Sequence, residues 1–130
     1  MADDEIYTSL FSLIRENTLR AAEVLGNPGR VVPAGEAIHY AITELGFEEF
    51  VLNGEGSYVT GGEGGIYRDT TPHLANKGKL IVAFTWYEYI TGNPATECAY
   101  TNSSFTDEDM AKMKQAAHWA CSQAMYNPAK

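Results

Sequence analysis

Asp69 and His73 are the two residues whose types and spacing could do chemistry together. They lie four positions apart in Tyr67-Arg68-Asp69-Thr70-Thr71-Pro72-His73-Leu74-Ala75-Asn76-Lys77-Gly78, just ahead of a strongly apolar stretch. The segment reads as a loop, so a carboxylate and an imidazole could work together at the mouth of a fold, where histidine exchanges a proton near neutral pH. The same residues have a plainer reading. Asp, Thr and Pro are common turn formers, and a single histidine more often orients a loop than catalyses. Arg68 could orient a substrate carboxylate or form a surface ion pair. Ser9, Ser12, Ser57, Ser103, Ser104 and Ser122 all lack the glycine-rich strand-to-turn setting of a nucleophile.

The remaining candidate ligands are scattered. His39 and His118 fall within helical stretches at packing positions, and the three histidines show no H-x-x-x-H or Cys/His grouping, so no metal is expected. Cys98 and Cys121 are too few for a disulfide framework and read as two buried thiols. The formal net charge of -8 sets Lys+Arg 9 against Asp+Glu 17. A phosphate backbone or an anionic membrane needs a basic face, so neither nucleic acid nor membrane is an expected partner. No run reaches the ~18 apolar residues of a bilayer span. The acidic start, Met1-Ala2-Asp3-Asp4-Glu5, has no secretory apolar stretch, which places the chain as written in the cytoplasm.

Four helices are legible around the candidate pair. Asp4 to Leu25 is amphipathic, with Ile6, Leu10, Leu13, Ile14, Ala21, Val24 and Leu25 falling on one face, and Gly26-Asn27-Pro28-Gly29 ending it. A second helix follows Gly35-Glu36 and runs to about Leu45, carrying Ala37, Ile38, Ala41 and Ile42. Gly78 to Thr91 is apolar almost all round, which predicts deep burial, and Gly92-Asn93-Pro94 closes it. Thr106 is the predicted N-cap of the last helix, with Asp109 three positions on and Phe105 placed to staple to Met110. Its inner face is Met110, Met113, Ala117, Ala120, Cys121 and Ala124.

Between the first two helices, Arg30-Val31-Val32-Pro33-Ala34 is the best strand candidate. The helix–strand–helix order suggests one unit of a parallel α/β sheet. Phe47 to Leu52 is apolar but too short to assign. Asn53 to Gly65 holds six of the twelve glycines and reads as irregular. Those glycines do not fit G-x-G-x-x-G, so no cofactor is expected. A parallel strand needs neighbours on both sides, so one strand beside four helices reads as the end of a sheet.

Arg68-Asp69…His73-Leu74…Gly78-Lys79-Leu80, running into Trp86-Tyr87-Glu88…Thr91-Gly92, resembles the last block of the SGNH (GDSL) hydrolase superfamily. More narrowly, it is similar to a bacterial branch known as a domain of unknown function. Val31-Val32-Pro33-Ala34-Gly35-Glu36-Ala37 resembles that family's late strand and following turn. The likeness covers nearly all of the chain but only the C-terminal half of a family domain. It implies an α/β fold: the C-terminal part of a flavodoxin-like three-layer domain, helix-rich with one or two short parallel strands. Residues 1–130 would then form a single, partial domain.

By the same resemblance His73 is the general base and Asp69 its orienting acid, in a serine esterase acting on a small ester or an acylated carbohydrate. Two departures stand out. The spacing is D-x-x-x-H, one residue longer than the family's pattern. The serine, glycine and asparagine blocks are not in this sequence, so the chain alone should be inactive. Its relatives are often exported. The alternatives are a non-catalytic helical binding or assembly module, and a subunit that complements a serine-bearing chain. Either would use an unpaired sheet edge for self-association or for that second chain.

Overall fold

The computed structural model describes residues 3–50, 64–68 and 73–126, with side chains from residue 11 onward. Its helices are α1 (Asp3–Val24), α2 (Ala34–Thr43), α3 (Asn76–Thr91) and α4 (Asp107–Cys121), with 3-10 turns at Ala95–Glu97 and Ala124–Tyr126. The protein is therefore helix-rich. No helix among the described residues is long and apolar enough to cross a membrane.

Small side chains let α2, α3 and α4 approach closely. Ala37 and Ala41 of α2 meet Ile81 and Phe84 of α3 and Met113, Ala116, Ala117 and Ala120 of α4 in one buried cluster. Tyr40 stacks flat on Trp119, with centroids 4.2 Å apart, and closes one side of it. The caps follow the sequence. Thr106 accepts the Asp109 N–H at 3.0 Å, and Gly92 ends α3 at φ 75° with its N–H on the Glu88 carbonyl.

Three sequence expectations are corrected. First, Arg30–Ala34 does not form a strand. The Val31 N–H donates to the Gly29 carbonyl (3.0 Å) and the Ala34 N–H to the Val32 carbonyl (2.9 Å). With no neighbouring strand among the described residues, these amides turn back on the chain two residues earlier. The described backbone pairing is instead an isolated antiparallel bridge, Tyr67 to Leu74. Second, α3 is not buried all round. Ile81, Phe84, Thr85 and Glu88 face the core, whereas Trp86 and Ile90 are 47% and 70% exposed, because α2 and α4 cover one side of α3 only. Third, the described part of the apolar face of α1 is not covered. Leu13, Ile14, Val24 and Leu25 are all exposed, and Ile6 and Leu10 lie outside the described side chains.

The bridge is held against α3 by one close approach. A Cβ at Gly78 would lie 2.6 Å from the Ile66 carbonyl oxygen and 2.7 Å from Leu74 Cδ2. Backbone cannot give way as a flexible side chain can. Gly78→Ala should therefore destabilise the fold by about 1–3 kcal/mol, read as a lower urea midpoint with an unchanged slope. Gly26→Ala, at an exposed left-handed position with open space around it, should cost less, on the order of 1 kcal/mol.

Candidate functional site

His73 sits at the end of a short ladder that fixes its backbone. The Arg68 N–H donates to the His73 carbonyl at 2.9 Å, and the Ala75 N–H donates to Ile66 at 2.8 Å. On the other side, the Ile66 and Tyr67 N–H groups donate to Glu48 and Glu49, each at 2.9 Å. Ile66 is fully buried at the centre of this arrangement. His73 is exposed just before the first turn of α3, and Arg68 is exposed beside it in the ladder. Asp69 lies outside the described residues, so the structure does not place the acid of the expected pair. Lys77 ties the ladder to α4: its Nζ is 3.1 Å from the Gly64 carbonyl and 3.4 Å from Asp109 Oδ2, above the Phe47 ring.

The other expected residues have structural partners. His118 Nδ1 is 2.9 Å from Glu88 Oε1, a carboxylate that also accepts the Ala95 N–H at 2.6 Å. Glu88 is 5% exposed, so this pair joins α3, α4 and the turn at Ala95. Ser122 Oγ donates to the His118 carbonyl. Cys98 is half-buried and Cys121 buried; neither is in a disulfide, which corrects the expectation of two buried thiols for Cys98 alone. Among the described residues, no three His, Cys, Asp or Glu side chains group as metal ligands.

Motif reading missed one concavity among the described residues. A cleft of about 610 Å³ opens between α1 and the body of α2, α3 and α4. Its walls are apolar: Phe11 and Ile14 of α1, Val31 and Val32 of the failed strand, and Leu74 and Val82 from the histidine side. Thr18 and Glu49 also line it, and a connected polar cluster sits between the apolar walls. Glu36, 2% exposed, accepts from Arg15 Nη2 at 3.1 Å and from the Tyr126 hydroxyl at 2.7 Å, with Arg15 Nε in contact with the same carboxylate. The three residues are 21 and 90 positions apart, so only the fold brings them together. The sign available in the sequence was a lone carboxylate, Glu36, opening the buried stripe of a short helix.

Electrostatics in this cluster follow from burial and pairing. Burial and then the Glu36 carboxylate push the Tyr126 phenol well above its ordinary range. Burial works against the charge on Arg15, but its bonds to Glu36 outweigh it and hold the guanidinium above its usual value. His39 is driven below its ordinary 6.5, first by desolvation and then by Arg15, against the pull of Glu36 and Glu44.

No known family's sequence profile matches the chain, and neither curated proteins nor solved structures give a match to it. The assignment of function therefore rests on the residues themselves.

An alkaline titration followed by tyrosinate absorbance should show one phenol titrating after the others. Tyr126→Phe should remove that late step and cost about 1–2 kcal/mol, because it strips a hydrogen bond from a buried carboxylate. Loss of no late step would place the Tyr126 hydroxyl in water.

Proposed function

We propose that the chain is the C-terminal part of an SGNH-type serine hydrolase, in which His73 serves as general base and Asp69 as its orienting acid. The observation that supports this reading is the apolar cleft flanked by Val31 and Val32 on one side and by Leu74, next to His73, on the other. A single strand from the rest of the domain, entering the cleft beside Val31 and Val32, would give Arg30–Pro33 a neighbour to pair with. In that arrangement the sequence becomes the end of a flavodoxin-like three-layer domain. His73 then lies at a sheet edge, just before a helix N-terminus, where loops carry reactive side chains.

The chemistry belongs to the assembled domain. A serine from the other half attacks an ester carbonyl, His73 takes its proton, and the imidazolium then protonates the departing alkoxide. Asp69, one residue further from the histidine than in the family pattern, holds the ring. A small ester or an acylated carbohydrate is the proposed substrate class. Without the serine and the oxyanion donors, the isolated chain keeps only the base, and a base alone provides little rate enhancement.

A second reading draws on the exposed Trp86 and Ile90 and the exposed stripe of α1. In it, the chain is a helical assembly module, or the subunit that complements a serine-bearing chain. Assay with a small chromogenic acetate ester separates these cases. The isolated chain should give no turnover. Combining it with the Gly-Asp-Ser segment encoded beside it should give turnover that His73→Ala lowers by roughly 10³-fold or more. Absence of any such segment, or turnover indifferent to His73→Ala, contradicts the hydrolase reading.

A further inference from the structure

α1 turns one face to the body and an opposite face to water. The inward line is Phe11, Arg15, Leu19 and Ala22. Phe11 lies flat on the His39 ring with centroids 4.0 Å apart, Arg15 pairs with Glu36, and Ala22 is buried. Leu13, Asn17, Ala21 and Val24 repeat that spacing, each two positions further along the chain. Two positions on an α-helix turn it by about 200°, so this second line looks away from the body. All four residues are exposed, Val24 at 80%, and Leu25 just beyond is exposed as well. An apolar line of this kind on a helix is a packing face.

Two features of the line say what covers it. Its one polar member, Asn17, sits between Leu13 and Ala21. A carboxamide carries donors and an acceptor, so it pairs with a copy of itself across a two-fold axis, and a lone Asn in an apolar helix seam fixes register in this way. Glu16 and Arg20 are exposed along one edge of the line, and among the described residues neither has an ion-pair partner. A parallel partner would set that edge against the other one, where Thr18 brings no charge. An antiparallel copy sets the edge against itself. With Asn17 near the axis, Glu16 of each chain then comes within one helical turn of Arg20 of the other. We propose that α1 packs antiparallel on α1 of a second copy of this chain, through Leu13, Asn17, Ala21 and Val24, as a closed two-fold dimer. The dimer rests on the assembly reading, to which it gives a partner, and is independent of the hydrolase one.

Sedimentation velocity of the whole chain over a range of micromolar concentrations tests it. The native chain should move from its 14.3 kDa monomer toward twice that mass as concentration rises. Val24→Glu should hold it at the monomer mass while its helical circular dichroism is kept. Glu16→Arg and Arg20→Glu should each weaken association several-fold, because each sets like charges across the axis. Mixed in equal amounts, those two variants should associate again, since each supplies the charge the other lacks. A chain that stays monomeric throughout overturns the proposal, and so does mixing that restores nothing. Association that survives Val24→Glu but is lost in Trp86→Glu overturns this surface and leaves the assembly reading standing.

Discussion

A single buried carboxylate ties together parts of the chain that would otherwise have little reason to meet. Glu36 has almost no contact with solvent, and a charge in that position is tolerable only when its lone pairs are taken up. Arg15 from α1 and Tyr126 from the turn after α4 take them up. Removing either partner leaves a buried charge under-bonded, so the cluster holds by penalty as much as by attraction. Elsewhere the body coheres through apolar packing of α2, α3 and α4, which has no directional requirement. The long first helix and the C-terminal turn are placed by this polar contact.

That division explains where apolar surface remains exposed. α2 and α4 pack on one side of α3, and Phe11, Ile14 and Arg15 of α1 line the same cleft as Val82 of α3. Phe11, Ile14, Val31, Val32 and Val82 are all residues that sheets and helices bury in finished cores. They line one cleft together, Ile14 exposed and the others half-buried, and the proposal of a missing strand beside His73 rests on that lining. Glu88 and His118 look like a catalytic pair by type, but their bond to the Ala95 amide marks them as a brace between α3 and α4.

Most of the helical layout was legible in the sequence, because caps and periodicity are local. Thr106 with Asp109, Gly26 and Gly92 each mark a boundary that the structure keeps to within a residue or two. Burial was not legible in the same way. The stripe on α1 and the all-round hydrophobicity of α3 report what a residue would prefer to touch, not which faces the fold goes on to cover. The Arg30–Ala34 strand failed for a related reason: β-propensity describes fit to a neighbouring strand, and the described residues offer this segment none. The Glu36 cluster was invisible because it joins residues 21 and 90 positions apart. Of the expected site, His73 is placed and Asp69 is outside the described residues.

The central claim is that the surface between α1 and the body is apolar yet open to water. Methyl NMR with a soluble paramagnetic agent measures this residue by residue. The account expects strong broadening of the Ile14, Val31 and Val82 methyls, with Ile81 and Met113 protected and a Phe11–His39 ring contact still observed. Protection of Ile14 and Val82 equal to that of Ile81 would mean a closed core, and the case for a missing sheet would go with it.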